Sequence, residues 1–116
     1  ISLHRAEGFG MPIAEAMAAG VPVIATGWSG NLSFMTSSNS RQVDHALVRT
    51  EDPYGVYTGH DAQWAEPDIS HAAHLLRQMQ SEADLRHRIG AAGKDSILGL
   101  CDYAPIGEAM AQALRH

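Results

Sequence analysis

The sequence predicts an α/β layer fold: one parallel strand–helix–strand unit followed by helices. Three observations predict it. Ile1 to Ala25 runs strand, glycine-rich turn, helix, strand. The second strand of that unit, Val21–Ala25, is apolar throughout and rich in β-branched residues, which suits burial on both faces of a parallel sheet. From Glu66 onward the pattern changes to apolar stripes at helical spacing.

Ile1–His4 reads as a short strand, and Arg5–Gly10 as a polar, glycine-rich turn. Pro12 opens a helix over Pro12–Ala19, because a missing N–H costs nothing in a first turn. Ile13, Ala16 and Met17 give that helix one apolar face, and Gly20 closes it as a left-handed residue can. Pro22 is tolerated at the start of the next strand, and two parallel strands joined this way imply a right-handed crossover. A second glycine-containing loop, Thr26–Asn31, leads into a helical turn at Leu32–Met35 and a polar loop, Thr36–Ser40. Gln42–Val48 reads as one strand, although Asp44 and His45 interrupt its alternation. Thr50–Ala65, with Pro53, Gly55 and Gly59, reads as a long irregular connection, and connections of that length are usually functional or mobile.

Asp68 caps the next helix, with Ile69, Ala72, Ala73, Leu76 and Met79 as its stripe and Gln78 and Gln80 toward water. Another helix is expected from Ser81, where Ser81 and Asp84 form a weak capping box. Its stripe is Leu85, Ile89 and Ala92, and Gly90 and Gly93 are expected to loosen it. The last helix, Pro105–Arg115, carries Ile106, Ala109, Met110, Ala113 and Leu114 on one face. The division expected is a βαβ core over about 1–50, a long loop over 51–65 and a helical tail over 66–116, within one unit.

The 116 residues suffice for a single core, and 45% hydrophobic with 18% charged residues is ordinary for a globular chain. A formal charge of −5 with only eight Lys and Arg argues against a nucleic-acid or anionic-membrane surface. No apolar run approaches the roughly eighteen residues of a membrane span, and no basic segment leads into an apolar one as in a secretory leader. The single Cys101 cannot close a disulfide within the chain, which fits a reducing compartment, and it reads as a small buried hydrophobe. A strand at the very start, with no initiator methionine, suggests a piece of a longer protein.

The chemistry concentrates in the first turn. Gly8 and Gly10 let backbone approach a ligand, and the turn feeds a helix N-terminus whose free N–H groups, around Gly10–Ile13, favour an anion. Glu7 precedes that turn and Glu15 lies in the helix's first turns. Carboxylates repel phosphate, so their partners would be neutral sugar or ribose hydroxyls. The pair can equally be a solvated loop acid and a dipole-favoured helix acid, and Gly-x-Gly is weaker than a full dinucleotide fingerprint.

The stretch HRAEGFGMPIAEAMAAGVPVIATGWSGNLSFM, residues 4–35, resembles the donor-binding domain of GT-B glycosyltransferases, specifically family 4. That family has a Glu-x7-Glu motif, matched by Glu7 and Glu15, within EGFG-x-P-x-x-EAMA-x-G-x-PVIA. Looser similarity continues through Asn39-Ser40 and Trp64–Asp68. The resemblance implies a Rossmann-like partial parallel sheet with flanking helices, a fragment of the C-terminal GT-B domain. It implies retaining transfer of a hexose from a nucleoside-diphosphate sugar to a glycan, lipid or protein acceptor, in a bacterial cytoplasm or at the inner membrane face. Glu7 would contact the transferred sugar and take the catalytic role; Glu15 would bind ribose hydroxyls. Gly8, Phe9, Gly10, Met11 and Pro12 would line the donor site, with main-chain amides of Phe9, Gly10 and Met11 on sugar hydroxyls and phosphate. No metal or other cofactor would be required. The family's diphosphate-binding Arg and Lys and its N-terminal domain would lie outside this chain, so the fragment alone is expected to be inactive. A sugar-nucleotide epimerase or phosphorylase of the same architecture, or a non-catalytic nucleotide-sugar-binding module, are the alternatives.

Elsewhere, His4 and Arg5 adjoin the crevice and can reach phosphate. In the second loop Asn31 can donate to a sugar hydroxyl, and Trp28 can stack on a base or acceptor or serve as a structural turn residue. Tyr54, Tyr57 and Trp64 can contact a sugar, but read first as packing under their loop. His71 and His74 share a helix, but nothing brings His45 or His60 to them, so no zinc site is expected.

Overall fold

In the computed structural model, residues 1–57 and 61–115 are described. Strand β1 (Ile24–Thr26) is the middle of three parallel segments. Strand β2 (Arg41–Val43) pairs with it in the register Ile24↔Arg41, Ala25↔Gln42, Thr26↔Val43. On its other side Ser2 makes a single parallel bridge to Ala25, its N–H donating to the Ile24 carbonyl at 2.9 Å and its carbonyl accepting from Thr26 at 3.0 Å. The strand expected over Ile1–His4 therefore shrinks to one bridge. The strand expected at Val21 enters the ladder later, because Pro22 has no N–H to give and the Val21 N–H turns back to the Ala16 carbonyl.

Helix α1 (Met11–Ala18) connects the first segment to β1. It starts one residue before Pro12, and Gly20, at φ +75°, closes the turn after it. Period-2 alternation sends β1 side chains to two cores. Val23 and Ala25 pack with Ile13, Ala14, Met17, Phe34, Met35 and Ile97, while Ile24 packs with Val43, Ala72, Leu75, Met79, Leu85 and Ile89. The sheet thus has helices on both faces, the Rossmann-like α/β arrangement expected.

The segment Gln42–Val48 is two strands, not one. It breaks at Asp44: β2 runs parallel to β1, and β3 (His45–Arg49) pairs antiparallel with β4 (Gln63–Pro67) from His45↔Pro67 to Arg49↔Gln63. The irregular connection therefore ends at Gln63 rather than after Ala65. Helix α2 (Ile69–Ser81) is capped by the Asp68 carboxylate, which accepts from the His71 N–H at 2.9 Å. Its buried stripe is Ala72, Leu75 and Met79; Ile69 and Leu76 face outward. Apolar residues at both spacings made the helix legible but not its rotation.

Helix α3 (Ala83–Cys101) is continuous, and Leu85 and Ile89 serve one core while Ile97 serves the other. Ser81 belongs to α2 and donates to the Gln78 carbonyl, so no capping box forms; Glu82 is the unassisted cap. Gly90 and Gly93 fasten this helix instead of loosening it. A Cβ on Gly90 would stand 2.4 Å from the Gly20 carbonyl oxygen, and one on Gly93 3.2 Å from that of Asn39. Buried Asn39 completes the junction, donating to the Phe34 carbonyl and the Ser96 hydroxyl.

Helix α4 (Tyr103–Ala113) begins two residues before Pro105, on the Asp102 carboxylate. None of its residues is buried, so the face bearing Ile106 and Met110 lies open. Cys101 is exposed rather than buried. Among the described residues no helix is long and apolar enough to cross a membrane.

Candidate functional site

Two loops meet beyond the carboxyl ends of the parallel segments, where ligands bind in open α/β sheets. Arg5–Gly10 leads into α1, and Thr26–Asn31 follows β1. They are laced together by main-chain and short side-chain contacts. The Gly30 N–H donates to the Glu7 carbonyl at 3.1 Å. The Ser29 hydroxyl donates to that same carbonyl at 2.6 Å and accepts from the Glu7 N–H at 3.2 Å. A Cβ on Gly30 would lie 1.8 Å from the Gly8 carbonyl oxygen, so only glycine allows the loops to approach this closely.

His4 is a further tie. Its Nε2 is 2.9 Å from the Trp28 carbonyl, which can only accept, so Nε2 carries hydrogen and Nδ1 is left facing the Ser2 hydroxyl at 3.4 Å. Arg5 is engaged on the opposite side. It pairs with Glu66 at 2.8 Å and lies 4.9 Å from the centroid of the Trp64 ring, while its carbonyl accepts from the Ala65 N–H at 2.9 Å. Both side chains that sequence reasoning placed within reach of phosphate are thus occupied in holding the turn to its neighbours. Phe9 is anchored by its ring, 4.9 Å from that of Phe34.

Gly10, at φ +89°, is the N-cap of α1. Its carbonyl accepts from both Ile13 and Ala14 at 3.0 Å. The Ile13 amide is therefore consumed and Pro12 has none, which narrows the Gly10–Ile13 expectation. Gly8, Phe9, Gly10 and Met11 donate to no acceptor among the described residues. Glu7 is half-buried with its main chain clamped, and Glu15 is exposed on α1. Neither carboxylate has an ion-pair partner among the described residues. Beside Glu15 an apolar groove of about 260 Å³ runs between α1 and α3, lined by Phe9, Met11 and Ile97 among others.

Asn31 is fully buried, and its amide donates to the Thr26 carbonyl at 3.0 Å and to Met35 Sδ at 3.2 Å. Those donors serve the root of the second loop; Asn31 Oδ1 and Thr26 Oγ1 stay buried without partners among the described residues. Trp28 is half-buried against His45, ring centroids 5.4 Å apart. A hollow of about 330 Å³ opens beside Arg5, lined by Thr50, Tyr57, Gln63 and Trp64. Tyr54 and Tyr57 are exposed rather than packed under their loop. The loop is ordered by Asp52, whose carboxylate accepts from the Tyr54, Val56 and Tyr57 amides. Those bonds, Tyr57's contributing most, lower its pKa from the ordinary carboxylate value. His71 is tied to Asp44, whose N–H it accepts at 3.0 Å, and His60 lies outside the described residues.

Sequence reasoning singled out the Trp28–Asn31 loop but gave its roles to Trp28 and Asn31 rather than to Ser29 and Gly30, and it missed the hairpin's hold on Arg5. A Ser-Gly pair signals a turn, but nothing local shows that this turn grips another loop.

These features define an α/β domain with an acid-flanked turn of unengaged amides at its sheet edge. Residues 1–94 match the family model described as "Family 4 Glycosyltransferase in conflict systems", and the chain belongs to that glycosyltransferase family. Among curated proteins and among solved structures, none matches it significantly.

Proposed function

We propose that this chain supplies part of the donor site of a retaining, GT-B-type hexosyltransferase using a nucleoside-diphosphate sugar. The reading is supported by a turn, Gly8–Met11, whose amides find no acceptor among the described residues and which Glu7 and Glu15 flank in sequence, in a member of family 4. Amides fixed by the fold suit the phosphate, and free carboxylates suit hydroxyls. The bond from the anomeric carbon to the diphosphate oxygen breaks with its electron pair leaving on the diphosphate. The acceptor hydroxyl then bonds to that carbon on the same face, its proton passing to the departing diphosphate oxygen. Preorganised amides at Phe9, Gly10 and Met11 would stabilise the departing charge without reorganising. Glu7 would hold sugar hydroxyls as positive character develops at the ring, and Glu15 would hold the ribose. Further cationic help for the diphosphate would come from outside this chain, since His4 and Arg5 are engaged. The exposed single thiol suits a cytoplasmic setting.

The test is donor titration and turnover in the full-length protein. Glu15→Ala should weaken donor binding by about 1.5–3 kcal/mol, roughly 10- to 150-fold, for loss of a charged hydrogen bond. Glu7→Ala should chiefly lower turnover. Unchanged donor affinity in the first, or full turnover at saturating donor in the second, would refute these roles.

A further inference from the structure

Ser29 occupies φ 80°, ψ −155°, the only positive φ among the described non-glycine residues. That region is essentially reserved for glycine, because any Cβ there crowds the backbone. Gly30 follows immediately and shares the tight approach to the first loop. A turn selected for stability alone would carry glycine at position 29 as well. What serine adds is its hydroxyl, and both of that hydroxyl's bonds go to Glu7, one to the N–H and one to the carbonyl.

We infer that Ser29 is a positioning residue: it accepts a strained backbone so that its hydroxyl clamps both peptide groups of Glu7. The clamp fixes where the Glu7 carboxylate starts and how the Gly8–Met11 amides follow. Its consequence for catalysis rests on the donor-site reading above, whereas the clamp itself does not.

Ser29→Gly and Ser29→Ala separate strain from clamp. Glycine removes both; alanine keeps the Cβ and loses only the hydroxyl. We expect Ser29→Gly to melt at or above the wild-type temperature and Ser29→Ala below it. In both, amide hydrogen exchange at Gly30, whose N–H donates to the Glu7 carbonyl, should quicken about tenfold or more as the two loops part more readily. In the full-length protein, turnover at saturating donor should fall by roughly tenfold in Ser29→Gly with a smaller change in KM, as for lost transition-state alignment. A Ser29→Gly protein destabilised as much as Ser29→Ala would overturn the inference, making the hydroxyl a part of the fold only. Wild-type exchange at the Gly30 amide in Ser29→Gly would overturn it too. A wild-type protein that binds no nucleoside diphosphate or its sugar would overturn the donor-site reading, while melting and exchange would still decide for or against the clamp.

Discussion

Replacing Gly30 by alanine tests the contact between the two loops most directly. The added Cβ would stand 1.8 Å from the Gly8 carbonyl oxygen, 2.5 Å from its carbon and 3.0 Å from the Glu7 oxygen. All three atoms are backbone, so no side chain can swing aside. Reaching a tolerable separation of about 3 Å requires the loops to part by roughly 1.2 Å, since interiors are close-packed and Cβ contacts are hard. That movement stretches the 3.1 Å Gly30–Glu7 bond and the 2.6 Å Ser29–Glu7 bond beyond use. Two lost bonds at about 1 kcal/mol each, with modest strain because the loops are partly exposed, give about 2–3 kcal/mol. For a chain of this size the melting temperature should fall by on the order of 10 °C. A displacement near 1 Å in a positioning loop should also weaken donor turnover by roughly 100-fold. Scanning calorimetry and a donor-turnover assay are the measurements. Gly8→Ala is the control: its Cβ meets nothing within 4 Å, so stability should change by less than about 0.5 kcal/mol. Wild-type melting and turnover in Gly30→Ala would refute the claim that this contact sets the loop.

Two other predictions concern the scaffold. Gly90→Ala, with its Cβ 2.4 Å from the Gly20 oxygen, should destabilise by about 1–3 kcal/mol in denaturant titration, although helix propensity alone favours alanine by about 1 kcal/mol; a gain in stability would show that α3 shifts freely. Asp52 has its pKa lowered in the fold, so its stabilisation of the Tyr54–Tyr57 turn is fully present above the unfolded value near 3.8 and disappears as pH falls through the lower folded value. Protection factors at Tyr54, Val56 and Tyr57, measured against the intrinsic exchange rate at each pH, should fall across that acid window, and Asp52→Asn should remove that fall; protection that persists through it would refute the assignment.

The fold was legible wherever one local pattern had one meaning. Gly20 after an apolar helix face closes a turn, and Asp68 before a stripe caps a helix. The hairpin was not legible, because Gln63–Pro67 contains a polar residue, a charge and a proline, and becomes a strand only through pairing with His45–Arg49. Gly90 and Gly93 read as weaknesses because helix propensity is local and the Gly20 and Asn39 carbonyls they admit are distant in sequence. At the site, Glu7, Glu15 and the glycine turn were visible in one stretch. The internal uses of His4, Arg5 and Asn31 were not, since a polar side chain beside a crevice looks the same whether it faces a ligand or a carbonyl.

The same engagements explain how a turn of small residues keeps its shape at a sheet edge. Charge contributes little: the Arg5–Glu66 pair is about half exposed on both sides, and such pairs add at most about 1 kcal/mol. Directional contacts do the holding. Glu7 is fixed from the β1 side by Ser29 and Gly30, and Arg5 from the hairpin by the Ala65 N–H and the Trp64 ring. Phe9 is pinned below by Phe34. Among the described residues, every anchor acts on main chain or on a residue beside the acids, and none on the Glu7 or Glu15 carboxylates. On the proposed reading, a donor arriving there would meet amides already in place and two carboxylates without hydrogen-bond partners among the described residues, so binding would order little beyond two acidic side chains.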